Sequence, residues 1–316
     1  MHLAVGNLAL LAATTTWLKP LWVVAVGVLA AAAALFCLLQ VLQLLAPKVT
    51  AIARTTTKEA LSQPLFYVLL AIGVFAILLF PFIPYNTFGE DIKMLKAEGL
   101  TLIKILAIIL AVWTASVSIS EEIEGRTALT LLSKPISRWK LILGKFLGVI
   151  GPVVILFIIL GAFFLSSVSY KVVYDARESS SGDPTTQECQ AEMVQILPGL
   201  TLSFMEAVVL ASISVAISTR LPMMANLVIC VSIYVLGHLV PLLVDSALGE
   251  FAIVAFVGRF LAAILPGLAY FNMETAISTG QVVPLVYLGM TAVYCFFYSL
   301  AAMLLALLLF EDRDLA

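Results

Sequence analysis

Apolar residues run along this chain in long unbroken blocks, not in the alternation of a half-buried strand or the stripes of a surface helix. The clearest blocks are Leu21–Leu45 and residues 64–84, 100–118, 141–166, 200–219, 221–244 and 284–310. A bilayer span needs about 20 mostly apolar residues, because helix rise is ~1.5 Å per residue and the hydrocarbon is ~30 Å thick. Lipid offers the backbone no hydrogen-bond partner, so each block predicts a helix. The expected fold is therefore all-α, a polytopic transmembrane helical bundle.

The segments between the blocks carry patterns of their own. Over 48–62, Val49, Ile52, Ala53, Thr56 and Ala60 share one helical face and Arg54 and Lys58 lie opposite. That predicts a short amphipathic helix resting in the lipid headgroup layer with its apolar face down. Residues 251–265 are apolar except for Arg259 and end at Pro266-Gly267. The stretch is short for a span and suits a re-entrant hairpin, placed within 250–270. Residues 167–198 are rich in Ser, Glu and Thr, which predicts a long solvated loop.

The stretch 118–148 reads SISEEIEGRTALTLLSKPISRWKLILGKFLG. Glu121, Glu122 and Glu124 crowd the end of one span, and Gly125 suits a helix stop. Thr127 can cap a short helix over 127–133 that presents Leu129, Leu131 and Leu132, with Pro135 ending it. Arg138, Trp139 and Lys140 then sit where cations and tryptophan anchor to headgroups. Exposed leucines on a short helix need a cover, which is either a partner's groove or the membrane itself. The carboxylates with Arg126, Lys134 and Arg138 equally suit a solvated rim.

Charge placement orients the spans. Putting 48–63, 119–145, Arg220 and the tail beyond 310 on the cytoplasmic side gathers ten basic against seven acidic residues there, with six against eleven outside. Basic residues favour the cytoplasmic side of short loops, so the C-terminus is expected inside. Composition agrees with a membrane chain, at 62% hydrophobic and 11% charged residues. The net charge of −2 gives no reason to expect nucleic acid as a partner.

Candidate chemistry is sparse. No G-x-x-x-x-G-K-[ST] phosphate loop exists, and the histidines are His2 and His238, so no H-E-x-x-H helix can form. No cofactor or multi-histidine metal site is expected. Of the cysteines, Cys37, Cys230 and Cys295 fall in predicted spans, where a buried apolar role is expected, and Cys189 falls in the polar loop. Lys104 and Glu206 are ionisable residues inside predicted spans, five to seven residues from the same side. Such groups are costly in lipid unless paired or facing a polar cavity. They either form a polar element of a translocation path, or Lys104 snorkels outward while Glu206 bonds a nearby hydroxyl.

The sequence EEIEGRTALTLLSKPISRWKLILGKFLG resembles the coupling loop of the permease subunits of type-2 ABC exporters, the ABC-2 class. ARTTTKEALSQP is similar to the connecting helix of that family, and ILPGLAYFN with the last span is similar to its outer loop and final helix. The likeness runs from about 48 to 314 and is nearest to the multicopper-enzyme-maturation permeases. It implies an extra N-terminal span over 1–46, a connecting helix over 47–63 and a six-span permease domain over 64–316. It also implies a coupling loop over 119–140, a paired or homodimeric permease in the cell membrane, and a separate ABC ATP-binding subunit docked on Glu121 to Arg138. A passive membrane scaffold for a cytosolic partner and an intramembrane enzyme stand as alternatives. The second lacks any grouped nucleophile, base or metal set.

Overall fold

A computed structural model describes residues 16–83, 91–124, 137–178, 184–245 and 252–311. Helices are α1 (Leu21–Leu45), α2 (Pro47–Ser62), α3 (Pro64–Leu79), α4 (Asp91–Glu124), α5 (Arg138–Glu178), α6 (Thr186–Ser218), α7 (Met223–Asp245), α8 (Ala252–Ile264), α9 (Glu274–Ser278) and α10 (Leu285–Glu311). No strand occurs among the described residues. Among the described residues, seven helices are long and apolar enough to cross a membrane, namely α1, α3 to α7 and α10. The short α8 is not one of them and packs on α7.

Side-chain contacts give the direction of each helix. Lys96 reaches Gln195, Lys104 faces Glu206, and the Ser214 hydroxyl bonds the Val112 carbonyl, so α4 and α6 run parallel. Between them α5 runs back. Lys145 donates to the Ser118 carbonyl at one end, Phe164 fills the space beside Gly99, and Lys171 meets Asp91 at the other end. Helix α7 is also reversed, with Asn226 bonded to Ser218 and His238 facing Glu206. Helix α10 follows α6, as Cys295 meets the Met205 carbonyl and Arg220 bonds the Leu309 carbonyl. The bundle thus has an Arg138 end and a Glu274 end.

The core lies where α4, α5 and α6 meet, filled by residues such as Leu100, Ile103, Leu156, Leu160, Phe164 and Leu210. Helices α1, α3, α7 and α10 surround it and turn rows of large apolar side chains outward, as lipid-facing helices do. Along α1 no residue is buried. Packed loosely on α5, it leaves between itself, α5 and α6 an apolar cleft of about 470 Å³ lined by Gly27, Ala31, Phe157, Leu165 and Phe204, among others.

Three expectations need correction. The solvated loop over 167–198 is almost entirely helix, because α5 continues to Glu178 and α6 begins at Thr186. Thr185 and Glu188 cap α6 reciprocally, the Thr185 hydroxyl accepting from the Glu188 amide and the Glu188 carboxylate from the Thr185 amide. At ~1.5 Å per residue, the 41 residues of α5 span about 60 Å, twice the hydrocarbon thickness. The overhang has a small core of Val172, Val173 and Cys189 with Trp17 and Ile92 against it.

Cysteine burial is exchanged accordingly. Cys189 is buried in that overhang, and Cys37 on α1 is exposed. The third correction concerns α2. Its face of Val49, Ala53, Thr56 and Ala60 is buried against α5, not laid on headgroups. Gly144, Gly148 and Gly151 make that contact possible by clearing a groove along α5 for Ile52, Thr56 and Thr57. Thr57 then donates to the Gly148 carbonyl at 3.0 Å.

Candidate functional site

Thr101 and Lys104 lie three residues apart, which puts them on one face of α4. That face meets Glu206 of α6, His238 of α7 and Glu274 at the start of α9. Four segments distant in sequence thereby close one polar cluster near the Glu274 end. Lys104 is 3% exposed and Glu206 is fully buried. Lys104 Nζ lies 2.5 Å from Glu274 Oε1 and 3.8 Å from Glu206 Oε2. Thr101 donates its hydroxyl hydrogen to Glu274 Oε2 at 2.7 Å.

Glu206 is the least satisfied member. Neither of its oxygens has a hydrogen-bond partner among the described residues. Its nearest polar neighbour is His238, whose Nε2 lies 3.4 Å from Glu206 Oε1. The His238 ring packs against Tyr234 with centroids 4.8 Å apart, and the side chain is 23% exposed. Lys104 therefore does not snorkel and Glu206 bonds no hydroxyl. The two form a loose ion pair within a larger set.

Two further polar groups flank the cluster. Toward the Asp91 tip of α4, buried Lys96 pairs with Glu192 and donates to Gln195 Oε1 at 2.9 Å. Toward the Arg138 end, Asn226 Nδ2 lies within 2.8 Å of the Ser116, Ser214 and Ser218 hydroxyls, tying α7 to α4 and α6. An amide has two hydrogens, so two of the three hydroxyls are served at a time. Along the seam of α4, α6 and α7, polar groups thus alternate with apolar core.

Of the residues expected at the coupling loop, Glu121, Glu122 and Glu124 belong to the last turn of α4. Gly125, Arg126, Thr127, Leu129, Leu131, Leu132 and Pro135 lie outside the described residues, as does the short helix expected over 127–133. Arg138 opens α5 and sets its guanidinium 5.9 Å from the centre of the Phe310 ring. With Arg220 on the Leu309 carbonyl, it ties the starts and ends of α5, α6 and α10 together at that end.

Sequence reasoning named Lys104 and Glu206 and missed Glu274, Thr101 and His238. A signal existed for His238, which is ionisable and falls inside the block 221–244. Glu274 gave none, because it sits in a connection whose return to α4 is a tertiary fact.

An all-α bundle of membrane-length helices with charged side chains gathered inside it is the build of a multi-pass membrane transport component. The family described as "ABC-2 family transporter protein" matches residues 76–315, and the chain belongs to that family. It is accordingly a transmembrane part of an ABC transporter, and members of the family are the membrane component of the machine, not its catalytic part. The matched stretch begins within α3, so α1 and α2 precede it. No curated protein matches the chain.

Proposed function

We propose that this chain is the permease subunit of an ATP-driven exporter of the ABC-2 class, working as a pair of permeases in the cell membrane with two copies of a separate ABC ATP-binding subunit. The observation that carries the reading is the family match together with an ion cluster at the meeting of α4, α6 and α7. Charge is expensive inside a bundle in lipid and marks a path or a moving part.

In this reading the ATP-binding subunit docks on the loop at the Arg138 end. Glu121, Glu122, Glu124, Gly125, Arg126, Thr127 and Arg138 frame the contact, and Leu129, Leu131, Leu132 and Pro135 fill the partner's groove. Nucleotide binding moves that loop, and α4 and α5 carry the displacement because the loop joins them directly. Lys104 and Glu206 lie on the translocation path, near its outer end. The C-terminus is cytoplasmic, and α8 with the 268–271 turn forms a re-entrant element on the outer side. Within the family, the likeness of the loop sequence to the multicopper-enzyme-maturation permeases supports a place in that subgroup.

The test is co-expression with the ABC ATP-binding subunit of the same operon, followed by purification and ATPase assay in lipid. A complex is expected, with ATPase activity that the permease modulates. Replacing Glu124, Gly125 and Arg126 together, or Leu131 and Leu132 with Asp, should leave both subunits folded and uncouple them. If no complex forms, or if its ATPase ignores those changes, the transporter reading fails. A stable complex with no nucleotide-dependent change in the permease would favour the scaffold.

A further inference from the structure

His238 is held in one tautomer by its own helix. Nδ1 lies 3.1 Å from the Tyr234 carbonyl oxygen one turn earlier. A carbonyl oxygen can only accept, so Nδ1 carries the hydrogen. The Tyr234 ring, tilted against the imidazole at 56°, keeps it in this orientation. The other nitrogen, Nε2, then faces Glu206 Oε1 across 3.4 Å. A neutral imidazole with hydrogen on Nδ1 presents a lone pair at Nε2, and an ionised carboxylate presents only lone pairs. Two acceptors face each other inside the bundle, and a single proton between them turns repulsion into a hydrogen bond.

Charge balance leads to the same proton by an independent route. The charged groups acting on the pair are Lys104 from α4 and Glu274 from α9. Tyr234 adds only its carbonyl and a neutral phenol, the 268–271 turn brings no charged side chain, and α8, which packs on α7, carries Arg259, which is exposed and is not among the charges acting on the pair. One ammonium therefore faces two carboxylates. Lys104 sits closer to Glu274, whose second oxygen already takes the Thr101 hydroxyl. Glu206, fully buried and without a hydrogen bond, is left with the surplus negative charge. Adding one proton makes the cluster neutral, which is what a low-dielectric interior favours.

We propose that Glu206 and His238 form a proton-binding site at the contact of α6 and α7, holding one proton while the helices are packed together. The proton comes from water when the two helices part and returns there, so no other reactant is needed. Held between Nε2 and Oε1, it makes either an imidazolium and carboxylate pair or a neutral imidazole and carboxylic acid. For its consequence the proposal rests on the transport reading. A cycle that parts α6 from α7 at this level wets both groups and releases the proton, which links transport to pH.

The site itself is tested on the full chain in lipid nanodiscs, without nucleotide or partner. The chain has two histidines, so His2→Gln leaves His238 as the single ¹⁵N-histidine signal. At a pH where free imidazole is neutral, His238 should show either both nitrogens protonated, or hydrogen on Nδ1 with Nε2 accepting. In the second case an infrared band of a protonated carboxyl accompanies it. Glu206→Gln should remove the second proton, leaving a neutral Nδ1–H imidazole and no such band. His238→Gln, read by infrared alone, should shift the carboxyl band where the proton rests on Glu206 and make one appear where it rests on His238, which covers the case that Glu206→Gln does not fold. A neutral imidazole with hydrogen on Nε2, or a neutral imidazole beside an ionised Glu206, overturns the proposal. So does a spectrum indifferent to Glu206→Gln. A proton found here beside a chain that never couples to an ATPase would keep the site and sink the transport reading.

Discussion

Gly148→Ala tests the most consequential packing feature of the Arg138 end, the seating of α2 on α5. A methyl group at Gly148 would fall 2.5 Å from Thr56 Cβ, 2.9 Å from its Cγ2 and 3.0 Å from the Ala53 carbonyl oxygen. The first and last belong to atoms fixed by the α2 backbone, so no rotamer change relieves them. Overpacking of this kind costs about 1–3 kcal/mol, and replacing a helical glycine with alanine returns about 0.5–1 kcal/mol. The net expected loss is about 1–2 kcal/mol. Gly289→Ala is the matched control, since nothing lies within 4 Å of a methyl group there.

The assay is the thermal midpoint of the purified chain in one detergent, followed by tryptophan fluorescence. Gly148→Ala should lower the midpoint and Gly289→Ala should leave it or raise it. Thr56→Gly removes the clashing Cβ and should partly restore Gly148→Ala, whereas Thr56→Ala keeps that atom and should not. The rescue is read as the coupling in a double-mutant cycle, about 1 kcal/mol in favour of the pair. If Gly148→Ala proves as harmless as Gly289→Ala, or Thr56→Ala rescues as well as Thr56→Gly, α2 does not sit in this groove.

Other outcomes follow from the interior. Lys104→Met leaves Glu206 and Glu274 without their cation and should destabilise the chain by about 3–5 kcal/mol, with much of that recovered in Lys104→Met/Glu274→Gln, as thermal midpoints would register. Asn226→Leu removes the amide that serves Ser116, Ser214 and Ser218 and should cost about 1–3 kcal/mol by the same measurement. In detergent, a maleimide apolar enough to enter the micelle should add to lipid-facing Cys37 in the folded chain and reach Cys189, Cys230 and Cys295 only after unfolding, a count that intact-mass spectrometry gives directly.

The hydrophobic blocks in the sequence settled the seven long helices and their all-α class, because lipid forces an apolar helix wherever it is crossed. The blocks also placed Lys104 and Glu206 at one depth, since that needs only the direction of each span. What they could not supply is the far ends of α5 and α6. Residues 167–178 and 186–198 look polar along the chain, yet they pair their few apolar side chains around Cys189 once three helices stand together. The Thr185 and Glu188 capping box was legible there and outweighs the polar composition.

Glycines give the same lesson at α2. Its amphipathic face is written in the sequence, but whether lipid or protein covers that face depends on the groove that Gly144, Gly148 and Gly151 open on another helix. The polar cluster is the clearest case. Two of its charges could be placed from periodicity and depth alone. Glu274 and His238 join them only because α9 folds back onto α4 and α7 returns beside α6. Hydrophobicity is a local property that a bilayer reads span by span. The pairing of a buried charge is a property of whichever helices come to lie against it, and only the packed bundle decides that.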